Sequence, residues 1–287
     1  MPAAAAGHES GMTTAQPADA GLFGPGSVTW RVHDEPVLLL GGLRSLFLQA
    51  LHPRAIAAVA QNSRYREDPW GRLQRTSTYL VTAIYGTSAE AAAAGARIRR
   101  LHARMSATDP RTGERFAVDD PHLLRWVHVA EVESFLTTAR RAGLRLTDAE
   151  ADRYYDEQRR GAALVGLDPA TVPGSAAQVR DYYRAMRPEL ALTRDAAEAL
   201  CYLFAPPMPW WLTLSPARPA YAGVAAAAFA SMPGWARRRY GALGLPVADA
   251  AATATAQALR TLLRTLPRRW WESPVHRAAR ERLATPA

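Results

Sequence analysis

The chain has 287 residues, 48% of them hydrophobic, which is enough for one domain with a buried core and no disulfide or metal staple. The net charge is +9 and all 35 basic side chains are arginine; because they are scattered over most of the predicted helices, they argue against a nucleic-acid-binding surface. Cys201 is the only cysteine, so no internal disulfide can form, and its apolar neighbours predict a packed thiol in a protein of the reducing cytoplasm.

The amino-terminal segment predicts a tail followed by a single domain. Residues 1–25 are mostly small, polar or proline, without the basic start and apolar centre of a signal peptide. We therefore expect a disordered tail over 1–25 and one helical domain over 26–287. The first helix expected in that domain spans 35–50 and is apolar on nearly all sides; it ends at His52-Pro53, and a short helix over 55–62 follows.

Caps and prolines mark the next helices. Asp68-Pro69 puts a capping carboxylate before a proline at the first helical position, which predicts a helix to about residue 85 with Gly86 as its stop. Asp120-Pro121 repeats this device for a helix that ends near residue 143. Two more helices, over 89–106 and from 147 to about 165, open with a threonine followed by a glutamate three residues later, the pattern of a capping box: Thr87 with Glu90, and Thr147 with Glu150.

The carboxy-terminal part continues the helical pattern. Helices are expected over 175–186, 193–204, 219–231 and 247–266, and a rigid proline-rich loop packed by Trp210 and Trp211 over 206–219. No run shows the alternation of apolar and polar residues that a strand needs, so strand content should be close to nil. The sequence predicts an all-α fold built as a single multi-helix domain.

A few polar side chains fall on apolar helix faces. His128 shares a face with Leu124, Val132 and Phe135, so its imidazole should point into the core, either bonded to a backbone carbonyl or bound to a metal. Arg72 and Thr76 lie one turn apart on a stripe that continues into residues 80 and 83.

Structural alternatives exist for each of these polar side chains. Arg72 could form a salt bridge with a neighbouring helix, for which Asp68, Glu131 and Glu133 are available. His52, beside a proline at a helix end, is read as a histidine that bonds the last carbonyls of that helix. A di-iron carboxylate centre is disfavoured because no Glu-x-x-His pair occurs on two helices.

These residues also carry a resemblance to a known family. The run His52-Pro53, the block from Asp68 to Thr76 (DPWGRLQRT) and the Trp126-Val127-His128 triplet resemble, in this order, the DUF2236 family, which groups mpaB-type oxygenases with the catalytic domain of rubber oxygenases. The resemblance extends over about residues 29–203. It implies a distantly globin-like helical bundle that holds haem b, with His128 as the axial iron ligand and with Arg72 and Thr76 as the polar pair at the open face.

The resemblance further implies a haem-dependent oxygenase that acts on a hydrophobic, unsaturated small molecule, with dioxygen bound opposite the histidine-ligated iron. Two departures weigh against polyisoprene as the substrate. Arg75 stands where the rubber-oxygenase branch has a lysine able to cap the iron, and arginine stays protonated and cannot ligate. The acidic residue that this branch carries on the preceding helix has no counterpart within residues 55–62.

Two other functions stay open on sequence grounds. The protein could be a haem-binding sensor or carrier without turnover, or a helical interaction protein without a cofactor. Separately, Leu262, Leu263 and Leu266 followed by Arg268-Arg269-Trp270-Trp271 suit peripheral contact with an anionic membrane interface. The alternative for this segment is a terminal helix that docks on the core by its tryptophans.

Overall fold

Helices account for nearly all regular structure in the computed structural model, which describes residues 18–284. The first seven helices are α1 (Val28–His33), α2 (Leu38–Ala50), α3 (Pro53–Asn62), α4 (Pro69–Tyr85), α5 (Ser88–His102), α6 (Pro121–Arg141) and α7 (Asp148–Leu164). The remaining ones are α8 (Ala176–Met186), α9 (Arg194–Phe204), α10 (Trp210–Thr213), α11 (Ala217–Ala230), α12 (Gly234–Arg239), α13 (Pro246–Thr265) and α14 (Pro274–Ala284). The prediction of an all-α fold is confirmed.

Side-chain caps explain where several of these helices begin. The Asp68 carboxylate accepts from the Gly71 amide at the start of α4, and both predicted capping boxes form, with Thr87 opening α5 and Thr147 opening α7. Each cap satisfies backbone N–H groups that have no partner within the helix. These starts are therefore fixed by residues close to them in the chain.

Two helices, α2 and α6, form the centre of the structure. They pack against each other more extensively than any other pair of elements. Gly41 of α2 makes this close approach possible, because a Cβ there would lie 3.0 Å from Cδ1 of Phe135 on α6. Trp126 and Phe47 are fully buried in the surrounding core. The position of α6 is therefore set by its packing on α2.

A buried ion pair joins the same two helices. Nη2 of Arg44 on α2 donates to Oε1 of Glu133 on α6 at 3.0 Å, and Nη1 of Arg44 donates to Oγ of Ser134 at 2.7 Å. Oε1 of Glu133 also accepts from Thr137 at 2.7 Å and Oε2 from Tyr183 at 3.2 Å. Burial alone would raise the pKa of Glu133, but the Arg44 guanidinium and these hydrogen bonds hold it below its ordinary value. The carboxylate thus stays ionised inside the protein.

Several details differ from the sequence-based expectations. The segment 206–219 is not a uniform loop, because it contains α10 and the start of α11, and Trp210 is 77% exposed instead of packed. Cys201 is exposed, because it lies on the outer side of α9, so the prediction of a packed thiol is wrong. Two three-residue strands, β1 (Ser106–Thr108) and β2 (Arg115–Ala117), form a small antiparallel hairpin. Helices α1, α10, α12 and α14 have no predicted counterpart.

The chain ends pack on the helical body. Most of the predicted tail, residues 1–17, lies outside the described residues. Its last part is in contact with the fold, because Phe23 is buried beside Trp30 and the Asp19 carboxylate accepts from the Ser88 amide at 2.8 Å. At the other end, Arg282 of α14 donates to the Tyr85 carbonyl at 3.0 Å. Across residues 18–284, none of the helices combines the length and the apolar character that crossing a bilayer requires.

Candidate functional site

His128 lies on the inner face of α6, as its spacing predicts. Leu124, Val132 and Phe135 on the same face are all buried. The imidazole Nε2 is buried and has no hydrogen-bond partner among the described residues. Burial lowers the pKa of His128 to about 4, so the ring is neutral at physiological pH. A neutral, buried imidazole nitrogen without a partner is an available metal ligand.

A small void borders this histidine on the side of α7 and α8. It is too narrow to hold a water molecule. The lining is largely aliphatic, with one tyrosine: His128, Val129, Val132, Tyr155, Val172, Pro173 and Val179. The neighbouring position on α7 is Gly161, where a Cβ would lie 3.9 Å from Cε1 of His128. The surroundings of the imidazole are therefore mostly apolar and closely packed.

Arg72 is half-buried near the start of α4 and has no anionic partner. Among residues 18–284, no hydrogen bond or ion pair to its guanidinium is formed. Two of the carboxylates that the sequence offered are engaged elsewhere: Asp68 pairs with Arg75 at 3.3 Å and Glu133 pairs with Arg44. Burial lowers the pKa of Arg72. The predicted salt bridge of Arg72 is thus not formed, and a partly desolvated cation is left unpaired.

Thr76 lies one turn after Arg72 and is exposed. Its Oγ1 donates to the Arg72 carbonyl at 3.1 Å. The main helix contacts of α4 are with α1, α5 and α14. No hydrogen bond joins Arg72 or Thr76 to His128 within the described part of the chain. The structure therefore keeps the two α4 residues together, and neither of them is hydrogen-bonded to the histidine.

Glu131 is a polar residue of this region that the sequence indicated as a salt-bridge partner for Arg72 and as a member of the disfavoured carboxylate metal site. It lies three residues after His128 on α6, is half-buried, and accepts no hydrogen bond from the described residues. Burial raises the pKa of Glu131 to about 7. Burial also raises the pKa of Tyr79 on α4, and the nearby Glu131 carboxyl adds to this effect. The i, i+3 spacing from His128 was the signal available in the sequence.

A second group of ligating side chains is formed by His52, His122 and Glu189. The sequence did not indicate this group, because its members are far apart in the chain. It also misassigned the His52 imidazole, which forms no hydrogen bond to the last carbonyls of α2. Instead, His52 is the N-cap of α3, and its Nδ1 accepts from the Ala55 amide at 3.3 Å.

Comparison with known proteins identifies a family. A family profile described as "ER-bound oxygenase mpaB/B'/Rubber oxygenase, catalytic domain" matches residues 30–270. This range contains the α4 block, His128 and Glu131, and it continues well beyond the region on which the sequence resemblance rested. Neither the curated proteins nor the solved structures contain a match to the chain.

Proposed function

Because the chain belongs to the mpaB/rubber oxygenase catalytic-domain family and is an oxygenase, we propose that it holds haem b through His128 and oxygenates a hydrophobic, unsaturated small molecule. The family implies an organic substrate and dioxygen as partners. The single observation that carries the proposal is the buried Nε2 of His128, which has no partner in the described structure.

The donor set suits a haem group. Haem iron accepts a neutral imidazole nitrogen as axial ligand, and the low pKa of His128 keeps that nitrogen free of an extra proton. The partner-free Arg72 would gain an acceptor in an anionic or polarised oxygen atom, which would offset the cost of leaving its charge partly desolvated. The void beside His128 has no room even for a water molecule, whereas ordinary small-molecule sites measure roughly 300–1,000 Å³, so binding has to open the space around the histidine.

Bound haem would supply the activation of dioxygen, which no side chain of this protein can provide. The roles left to the chain are binding, orientation and proton transfer. Arg72 would donate N–H hydrogen bonds to developing negative charge, and the Thr76 hydroxyl, one turn away on the same helix, would add a second donor. The aliphatic lining near His128 would exclude water and favour an apolar substrate.

Glu131 would serve as the proton-holding group of this site. Its raised pKa lets a carboxyl oxygen of Glu131 hold or release a proton near neutral pH, the range in which a general acid or base is effective. Helix α3 contains no acidic residue, unlike the corresponding helix of the rubber-oxygenase branch. Glu131 would give this chain an acidic group near the histidine from α6 instead. In Glu131→Gln, haem binding should persist while turnover falls by about 100-fold or more.

The decisive experiment compares wild type with His128→Ala after expression with added haem. We expect a Soret band in wild type that shifts with dithionite and carbon monoxide, and its loss or displacement in His128→Ala. His102→Ala is the matched control, because His102 is another half-buried histidine with a partner-free ring nitrogen; it should keep the wild-type spectrum. A folded but colourless wild type, or an unchanged spectrum in His128→Ala, contradicts the proposal.

Turnover separates the oxygenase from a carrier or sensor. Oxygen consumption should rise when the reduced haem protein meets unsaturated hydrophobic compounds, and the products should contain label from ¹⁸O₂. Saturated analogues of the same length serve as controls. Haem binding without oxygen-dependent product would support the non-catalytic alternative.

Membrane contact through the carboxy-terminal segment is a separate part of the proposal. Trp270 and Leu262 are exposed, and Arg269 beside them is exposed too, a combination that suits an anionic bilayer surface. Co-sedimentation with vesicles of anionic phospholipid should exceed that with zwitterionic vesicles, and Trp270→Ala should reduce it. Equal binding to both kinds of vesicle would refute the electrostatic part.

A further inference from the structure

A cluster of metal-ligating side chains lies where the amino-terminal ends of α3 and α6 meet. His52 caps α3, His122 is in the first turn of α6, and Glu189 follows α8. His122 precedes His128 by six residues, which corresponds to about 9 Å along the helix axis. The cluster is therefore distinct from the site around His128.

The three side chains already converge on one point. Nε2 of His122 is 2.8 Å from Oε2 of Glu189, and Nε2 of His52 is 3.8 Å from the same oxygen. Each residue offers one ligand atom, and all three atoms lie within 4.8 Å of one another. Nε2 of His52 is buried and has no hydrogen-bond partner within residues 18–284. A buried polar nitrogen that faces two further ligand atoms calls for an occupant.

Backbone contacts hold the three residues in place. The Asp120 carboxylate accepts from the His122 amide at 2.9 Å, which fixes the first turn of α6. Two residues after Glu189, the Ala191 amide donates to the Leu51 carbonyl at 2.9 Å, which ties the loop after α8 to the residue before His52. These contacts do not depend on a bound ion, so the site is largely pre-formed.

We propose that His52, His122 and Glu189 bind one divalent transition-metal cation, with zinc as the best fit and water as the fourth ligand. Two imidazoles and a carboxylate are a common zinc ligand set. Tetrahedral coordination at about 2.05 Å sets the ligand atoms about 3.4 Å apart. The distance of 2.8 Å must therefore lengthen and that of 3.8 Å must shorten, each by about 0.5 Å, and the two imidazole nitrogens, which lie within 4.8 Å of each other, must also settle at about 3.4 Å. The half-exposed side chains of His122 and Glu189 have room for this adjustment.

Nearby arginines do not cancel the attraction for a cation. Arg54 lies beside Asp109 at 3.0 Å and Glu114 at 2.7 Å, and Arg111 is 3.8 Å from Asp109. Two carboxylates thus oppose the charge of the two arginines, although Arg111 also donates to the Glu189 backbone carbonyl at 3.4 Å and so lies beside the cluster.

Metal binding would break one hydrogen bond of the helix cap, and this loss can be detected. Nδ1 of His52 accepts from the Ala55 amide, so the proton of the neutral ring is on Nε2. A metal at Nε2 requires the proton to move to Nδ1, and the cap bond to Ala55 is then lost. Since a cap contributes about 1 kcal/mol, losing it lowers the affinity for the metal roughly five- to tenfold. This loss is small beside the total binding free energy of an ordinary zinc site. The Ala55 amide should therefore respond to metal binding.

The proposed role of the ion is structural. A cation would join the start of α3, the start of α6 and the loop after α8, three parts of the chain that are distant in sequence. The same ligand set occurs in non-haem iron oxygenases, but His122 and Glu189 are 45% and 44% exposed, so an ion held by them would face solvent. The ion would therefore stabilise the helix that carries His128.

The test uses the full-length protein, stripped with a chelator and titrated with zinc. We expect one zinc per chain by elemental analysis, and a rise of about 5 °C in the unfolding midpoint at a zinc concentration 100 times the dissociation constant. Cobalt(II) should give the visible absorption of a tetrahedral site. Selectively labelled protein should show a shift of the Ala55 amide resonance.

Variants assign the ligands. His122→Ala and Glu189→Gln change half-exposed side chains and should fold normally, yet zinc affinity should fall at least tenfold in each. His102→Ala is the matched histidine control and should bind zinc as wild type does. Absence of stoichiometric zinc, or unchanged affinity in both ligand variants, overturns the proposal. Since these experiments need no haem, their failure is separate from that of the haem proposal.

Discussion

Removing the charge of Glu133 tests how the central helix pair is held together. Arg44 is 1% exposed, and its guanidinium depends on the Glu133 carboxylate for charge compensation. In Glu133→Gln, the amide nitrogen would also face the N–H groups of Arg44, so one donor would meet another. Breaking a buried ion pair from one side typically costs 3–5 kcal/mol. For a chain of this size, a loss of about that amount lowers the midpoint of thermal unfolding by roughly 6–20 °C.

Urea unfolding measured by circular dichroism gives the free energy directly. The matched control is Asp181→Asn, because Asp181 pairs with Arg184 at 2.9 Å on the surface of α8; it should cost less than about 1 kcal/mol. The double variant Arg44→Met/Glu133→Leu should recover much of the loss, since it buries no charge. Equal effects of Glu133→Gln and Asp181→Asn would refute this account of the core.

Two further predictions concern the same helix pair and its site. Burial raises the pKa of Glu131 from 4.5 to about 7, so the charged form of this carboxyl opposes folding. The free energy of unfolding should therefore fall by on the order of 3 kcal/mol as the pH rises from 4.5 through 7. Urea titrations of Glu131→Gln should show a flatter dependence on pH. Gly41→Ala should destabilise the protein by about 1–3 kcal/mol because its Cβ meets Phe135 at 3.0 Å. Gly42→Ala, whose Cβ meets nothing within 4 Å, should instead stabilise α2 by up to about 1 kcal/mol; unfolding midpoints that rank the two variants in the opposite order would contradict the packing argument.

The helices that the sequence predicted best are those whose ends are set by neighbouring residues. The span 69–85 agrees closely with the prediction because Asp68, Pro69 and Gly86 act within one turn of its ends. Short helices such as α1 and α12, of six residues each, lack this periodic signal. They form because tertiary packing holds them, which a local pattern does not encode.

Side-chain partners show the same division. Periodicity alone placed His128 on the inner face of α6, since the face of a helix follows from residue spacing. Which carboxylate reaches Arg44, why none reaches Arg72, and whether Cys201 faces solvent depend on how the helices are arranged in space. His122 and Glu189 meet although 67 residues separate them. Local chemistry thus determined the helices and the faces of their residues, whereas packing between distant helices decided which polar groups are paired, because such contacts have no signature in nearby sequence.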